Sequence, residues 1–358
     1  MDHTSLHEEQ EQEEIIKEEG TGLTGRANLG NTCFMNTALQ CLVHSESFNK
    51  FLSTKKYEKK LNKNVDSLIL VEYDKLRKMM WSEDCVIGPG GFLTSIQKVA
   101  NIKDRSIFTG FAQNDLTEFL IFLIDCFHNS IAREVDMEIT GDVENETDKV
   151  AESCYKMLKN MYSKEYSEIL ELFYGISVSQ IFSTEGKKMN FTPEPFLLLD
   201  LALPSDSLNL NKPTTLNECL DIYTQNETLE DDNLYEIEKG MEKIKAHKKI
   251  EFWKLPEILI ISIKRFSNKL KKNQSLVDFP LADLDMSKYV IGYNKNEFKY
   301  DLYGVCNHVG GTLGGHYYAY IKNNNDWHSF NDGYIEKIDN SNIIVSPTAY
   351  CLFYHKKK

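Results

Sequence analysis

No two of the eight cysteines in this 358-residue chain form a Cys-x-x-Cys pair. That spacing supplies half of a four-thiolate zinc site, and many redox dithiols, so neither is expected here. There is no secretory leader pattern and no apolar run long enough to cross a bilayer, so no membrane partner is expected. Reduced thiols in a cytoplasmic or nuclear compartment are the expectation. Basic charge is in deficit too: 41 Lys and Arg against 54 Asp and Glu leave a net charge of -13. Phosphate backbones bind to excess positive charge, so nucleic acid is not expected as a partner. No internal repeat is present. With 41% hydrophobic residues in 358, the chain reads as one elaborated globular domain or a set of closely packed subdomains, acting as a monomer.

Residues 1 to 20 are rich in Glu and Gln and almost devoid of large apolar side chains, which predicts a flexible acidic tail. From residue 22 to about 130 the pattern is largely helical. Leu116, Phe119, Leu120, Leu123 and Phe127 recur at helical spacing, with Gln113 and Asp115 at the N-terminal end of that stripe. From about residue 175 onward the chain is β-rich, and Ile258 to Ile263 is an apolar run suited to a buried strand.

The stretch Ala27-Asn-Leu-Gly-Asn-Thr-Cys-Phe-Met-Asn36 carries a thiol where a loop ends and a helix begins. Met35, Ala38, Leu39, Leu42 and Val43 mark one face of that helix, and Asn31 or Thr32 is the expected N-cap. A cysteine in the first turn meets the positive end of the helix dipole and unpaired amides, which favour thiolate and lower the pKa of Cys33. The same amides, with the side chain of Asn28, are placed to stabilise an oxyanion. The plainer alternative is a small core residue.

A nucleophilic thiol needs a base. Tyr300 to Val305 and Tyr317 to Ile321 read as strands around a flexible loop, Gly310 to Gly315, closed by His316. A turn at Asn323 to Asp326 then leads into a third strand ending at Asn331 and Asp332, where a side chain can accept the second imidazole N–H. Nucleophile, base and orienter are thus all present. Asn331 and Asp332 are adjacent, so on a strand they face opposite sides, and one can orient His316 while the other supports the oxyanion or a water network. His308 reads as a hydrogen-bonded structural histidine, His328 as a surface or partner-pairing residue, and Cys41 as a core thiol.

These segments together resemble the catalytic domain of the ubiquitin-specific proteases, a papain-like family of cysteine deubiquitinases. The cysteine box is similar over Asn28 to Asn36 with Leu39-Gln40. The histidine box is similar over Tyr300 to Val305, His308-x-Gly310, Gly315-His-Tyr317, Tyr320 and Trp327 to Asp332. A third box appears at Gln113-Asn-Asp-Leu-Thr-Glu-Phe-Leu120, and Leu255 to Phe266 and Ala349 to Tyr354 match family strands. The likeness spans roughly residues 22 to 358. It implies an α+β hand: a helical thumb with Cys33, a β-rich palm with His316 and Asn331, and β fingers at approximately 175 to 255. It further implies a thiol-dependent hydrolase acting at the C-terminal Gly of ubiquitin, with ubiquitin and ubiquitinated proteins as partners. Gln113, Asp115, Gly315 and Tyr317 would then contact the ubiquitin tail; without the other boxes, Gln113-x-Asp115 reads as a helix cap. An acidic enzyme suits the basic tail of ubiquitin. The alternatives are a protease for a ubiquitin-like modifier and a catalytically inactive ubiquitin-binding module.

The chain also departs from the family pattern. Many members carry two Cys-x-x-Cys zinc pairs in the fingers, whereas Ser183 to Asn190 and Leu234 to Lys248 contain no cysteine. No metal or other cofactor is expected, and the fingers are expected to be held by hydrophobic packing alone. Arg26 replaces the usual Leu before the cysteine box, which suggests a rearranged approach to the site. Asn114 and Leu116 are unusual within the third box.

Overall fold

The structure is a computed structural model that describes residues 20–205, 207, 213–237, 243–266, 271–311 and 314–358. Nearly all of the expected acidic tail, residues 1–19, lies outside the described residues.

The thumb is built from α1 (Cys33–Val43), α2 (Asp66–Ser82), α3 (Gly90–Ile102) and α4 (Leu116–Ile131), while α5 (Glu146–Tyr162) packs against the fingers. In α4 the stripe read from sequence is the buried face: Leu116, Phe119, Leu120, Leu123 and Phe127 are all solvent-free. Asp115 caps this helix, its carboxylate accepting from the amides of Thr117 at 2.8 Å and Glu118 at 3.1 Å. α1 differs from the one-faced helix its periodicity suggests. All eleven of its residues are buried, because α4 packs on one side and the palm sheet on the other. Its polar residues Asn36, Thr37 and Gln40 are therefore interior groups.

The palm is one twisted sheet. Its strands are β5 (Leu198–Ala202), β8 (Ile258–Lys264), β9 (Lys299–Gly311), β10 (Gly314–Asn323), β11 (Asp326–Asn331), β12 (Tyr334–Ile338) and β13 (Ala349–Lys356). They run in the order β12-β11-β10-β9-β13-β8-β5, with Leu284–Asp285 pairing beside β9. All named pairs are antiparallel except β5 with β8. The apolar run of β8 is buried on both faces. Ile258 and Ile260 join the core shared with the thumb, while Leu259, Ile261 and Ile263 join a second core behind the sheet. Such double burial is why the segment does not alternate with polar residues.

The fingers form a separate antiparallel sheet of β3 (Gly175–Ser183), β4 (Lys188–Phe196), β6 (Glu227–Leu229) and β7 (Ala246–Lys254), in the order β4-β3-β7-β6. Within the 175 to 255 span, β5 belongs to the palm, and the helix Leu216–Thr224 joins it through the core behind the palm sheet. The fingers do contain an apolar cluster of Val150, Ala151, Cys154, Ile176, Val178 and Trp253. Hydrophobic packing is not their only tie, however. Gln180 donates to Glu251, Lys249 pairs with Glu251 at 2.7 Å, and Lys245 pairs with Glu230 at 3.2 Å. Of these only the Gln180–Glu251 bond joins two strands, a pairing that a sequence pattern does not reveal. Among the described residues no helix is long and apolar enough to cross a membrane.

Two short strands complete the path to the site. β1 (Gly25–Arg26) pairs in parallel with β2 (Val86–Ile87). The approach altered by Arg26 is thus an ordered strand pair. Gly25 is needed for closeness: a Cβ there would lie 2.7 Å from the carbonyl oxygen of Gly333.

Candidate active site

Cys33 is the first residue of α1, reached through a tight loop in which Gly30 and Asn31 take left-handed φ values of 101° and 54°. Neither expected cap residue caps the helix with its side chain. Thr32 occupies the N-cap position but accepts from Leu29 N at 2.9 Å, and Asn31 donates to the carbonyl of Phe111 at 3.0 Å. Asn28 organises the loop instead: its Oδ1 accepts from the amides of Gly30 and Thr32, both at 3.1 Å.

The thiol of Cys33 does not show the lowered pKa that its helix position predicts. Burial pushes it up, since it is only 3% exposed, and the Asp332 carboxylate adds to the effect. The amides of Tyr317, Phe34 and Cys33 itself oppose this and are outweighed. Desolvation of a charge in a nearly closed site exceeds the influence of one helix end.

His316 lies within β10, opposite Val309, and the expected loop before it is mostly strand: Gly310 pairs with Gly315 and Gly311 with Gly314. Residues 312 and 313 lie outside the described residues. Nε2 of His316 meets Oδ1 of Asn331 at 2.6 Å. An amide oxygen only accepts, so Nε2 carries the proton and Nδ1 keeps its lone pair for the thiol. Asn331 is thus the side chain hydrogen-bonded to the His316 ring. Among the described residues, His316 is hydrogen-bonded to Asn331 and not to Cys33.

Asp332 does not simply face the other side of the strand. β11 ends at Asn331, and Asp332 follows in the hairpin turn with a left-handed φ of 51°. Its carboxylate reaches the thumb, accepting from Asn28 Nδ2 at 3.0 Å and Asn36 Nδ2 at 2.8 Å. Its carbonyl accepts from Arg26 N at 2.9 Å. The side chain of Arg26 is buried, donating to the carbonyl of Asn36 and lying 2.9 Å from Met80 Sδ. Burial brings its pKa down to about 9, and the carboxylate of Asp332 is among the charges acting against that.

On the other flank, Gln113 bridges thumb and palm through backbone: Nε2 donates to the carbonyl of Gly315 at 2.6 Å, and Oε1 accepts from its amide at 3.1 Å. Asp115 has its carboxylate engaged by its own helix and by the hydroxyl of Tyr350 at 2.6 Å, so the capping arrangement is present whatever else it does. The Tyr317 ring, expected to line a tail groove, is 3% exposed and packs 4.5 Å from His308 and 5.9 Å from Tyr350. It faces inward because β10 turns its alternate residues to the thumb core, and its amide is the part directed at Cys33. His308 is a buried structural histidine, its Nδ1 3.0 Å from Lys272 Nζ and its pKa brought down to about 4, chiefly by burial and then by Lys272. His328 is half-buried beside Phe330 rather than on the open surface. Cys41 is fully buried, with its sulfur 3.4 Å from that of Cys306.

Asn36, Lys272 and Tyr350 belong to the site's surroundings and were not assigned roles from sequence. Asn36 alone had a signal, since it stands one helical turn after Cys33 within the motif. Among the described residues, no group of three or more His, Cys, Asp or Glu side chains is arranged to hold a metal ion.

The sequence model of the family described as "Ubiquitin carboxyl-terminal hydrolase" matches residues 24–354. Ubiquitin carboxyl-terminal hydrolase 2 of Homo sapiens is 33% identical over 344 residues, covering 93% of this chain and 55% of the relative. The protein of the same name from Gallus gallus is 33% identical over 343 residues, covering 93% of each. The chain thus spans about half the length of the human relative and nearly all of the avian one. Among solved structures, Ubp8 in the SAGA DUB module bound to ubiquitin aldehyde superposes with a TM-score of 0.71 at 25% identity, covering 95% of this chain and 71% of that one. Ubp8 in the module bound to monoubiquitin gives a TM-score of 0.72 at 24% identity, covering 96% and 71%. With a thumb cysteine, a palm histidine and asparagine in hydrogen-bonded register, and a family match over almost its whole length, this chain belongs to the ubiquitin carboxyl-terminal hydrolase family, in its ubiquitin-specific protease group.

Proposed function

We propose that this chain is a thiol-dependent hydrolase that cleaves peptide and isopeptide bonds at the C-terminal Gly of ubiquitin. The observation that carries the reading is the 2.6 Å contact from His316 Nε2 to Asn331, which leaves Nδ1 as the base for a thiol at the start of α1. In the proposed reaction, His316 takes the proton of Cys33, and the thiolate attacks the Gly carbonyl. Burial raises the pKa of the thiol, so a base is needed to take its proton. Asn28 Nδ2 has two N–H groups. One is held by Asp332, which leaves the other, with the α1 amides, for the oxyanion. Asp332 is then a positioning residue for Asn28. His316 next protonates the leaving lysine amine, and water activated by His316 hydrolyses the thioester, releasing ubiquitin.

The tail would run along the Gln113–Gly315 flank toward Cys33, with Gln113, Asp115, the Gly315 backbone and the Tyr317 amide as its contacts. The proposed site is complete within one chain, and we take the monomer as the acting unit. The eight free thiols suit a reducing compartment, cytoplasmic or nuclear. The relatives are ubiquitin carboxyl-terminal hydrolases and the solved neighbours hold monoubiquitin or ubiquitin aldehyde, which favours ubiquitin over a ubiquitin-like modifier as the group recognised. The test is reaction with ubiquitin carrying a C-terminal electrophile. Wild type should form one adduct on Cys33; Cys33→Ala should form none, hydrolyse no ubiquitin amide and still bind ubiquitin. An adduct on Cys41 or Cys85 with Cys33 unmodified would overturn the assignment.

A further inference from the structure

The acyl side of the site has candidate contacts, whereas nothing so far receives the polypeptide that leaves. Tyr334 is 80% exposed, the most exposed large hydrophobic side chain among the described residues, and its ring makes no hydrogen bond or aromatic contact among them. It is the cross-strand partner of Asn331 at the end of the β11–β12 hairpin. Directly paired residues place their Cβ atoms on one sheet face, about 5 Å apart. Tyr334 therefore stands beside the residue that holds His316, the group that must deliver a proton to the leaving amine. On the turn between them, Gly333 lies against Val86, 57% exposed: a Cβ on that glycine would be 3.3 Å from Val86 Cγ1. This flank carries the Asn28–Asp332 contact and is separate from the Gln113–Gly315 contact proposed for the ubiquitin tail.

Resting on the hydrolase reading above, we propose that Tyr334 and Val86 form the contact for the polypeptide carrying the modified lysine, and so help to determine which conjugates are cleaved. The partner's chemistry is an apolar side chain near that lysine, set in a basic segment. An exposed aromatic ring offers large contact area at low conformational cost. Glu83, Asp84 and Glu336 are exposed around the two residues, while Lys337 is paired with Asp326 at 2.8 Å. The flank thus presents negative charge, complementary to a lysine-bearing chain.

The experiment compares two measurements on the full chain. One is kcat/KM for ubiquitin joined by an isopeptide bond to a lysine in a basic peptide. The other is the rate of adduct formation with ubiquitin propargylamide, which has no leaving polypeptide. Tyr334→Ala should lower the first by about fivefold to tenfold, through KM, as for loss of one aromatic anchor, and change the second by less than about twofold. Tyr334→Phe should behave as wild type, and Val86→Ser should show a smaller loss of the same kind. An unchanged thermal midpoint is expected for a side chain this exposed. Equal losses in both measurements would make Tyr334 a support for Asn331 and overturn the proposal, as would undiminished cleavage of the conjugate. Wild type that formed no adduct and cleaved no conjugate would overturn the hydrolase reading itself, and this proposal with it.

Discussion

On one flank of Cys33 the thumb holds the palm through Gln113, whose amide meets only the backbone of Gly315. On the other it holds the palm through Asp332, a carboxylate received by the side chains of Asn28 and Asn36 over the buried Arg26. The first clasp is two neutral hydrogen bonds to main chain that an incoming extended peptide can replace with its own. The second is a charged acceptor met by two amides, and charge-assisted bonds in a poorly solvated place are stronger and more costly to leave unpaired. Its members also adjoin the reacting atoms. The flank proposed to receive the ubiquitin tail is thus held by neutral contacts to main chain, and the flank beside Asn28 by a charged acceptor.

If that contrast is right, the largest losses come from the Asp332 flank and from the Asn331 residue beside it. Asn331→Ala frees His316 to rotate and to take the wrong tautomer, and turnover of a ubiquitin amide should fall by about 10²-fold or more with little change in ubiquitin affinity. Asp332→Ala releases Asn28 and should reduce kcat by a similar order, again with KM nearly unchanged. Steady-state kinetics on both variants checks this. Near wild-type turnover for Asn331→Ala beside collapse for Asp332→Ala would transfer the orienting role to Asp332.

A smaller effect of a different kind belongs to the first flank. Gln113→Ala removes two hydrogen bonds of roughly 1 kcal/mol each, so KM should rise by up to about thirtyfold while kcat stays within about threefold. A kcat loss as deep as that of Asp332→Ala would erase the distinction between the flanks.

Protonation tests the burial on either side. His44, near Arg26, and His308, near Gly315, are both held at about 4 against 6.5 when exposed, chiefly by burial. Between those values the unfolded chain binds more protons than the folded one. The stability these neutral histidines confer is complete above pH 6.5 and is lost as pH falls from there toward 4, by at most about 1.4 kcal/mol per pH unit for each. Thermal midpoints should fall accordingly on acidification, and His308→Gln should flatten part of the slope. The smallest effect is expected far from both flanks. A chelator should leave the thermal midpoint and activity unchanged, since the fingers stretches lack the cysteine pairs of a zinc site; stoichiometric zinc in pure protein would contradict this.

Much of the site is legible in the amino-acid order. The loop-to-helix step at Cys33, the strand carrying His316, the position of Asn331 and the apolar stripe of α4 all follow from local spacing, because a helix or strand repeats its pattern over a few residues and a motif keeps its chemistry in one short segment. The double burial of β8 is legible in the same way. Other features escape any local pattern. The links that hold the site together join residues 202, 296 and 304 positions apart. Periodicity marks one buried face of a helix, so it missed that α1 is enclosed on every side, that Asn36 turns inward to Asp332, and that Arg26 can lie in the interior. A helix end favours a thiolate through short-range dipoles, but the charge state of Cys33 follows the water removed by the whole surrounding structure. The family likeness likewise implied a tail contact for Tyr317 without its orientation, while the pleat of β10 against the thumb turned its ring inward and left its amide to face the sulfur. Short-range pattern therefore determines which residues are candidates for the chemistry, whereas desolvation and contacts between distant segments determine their charge and orientation, since both depend on surfaces that exist only once thumb and palm have closed on each other.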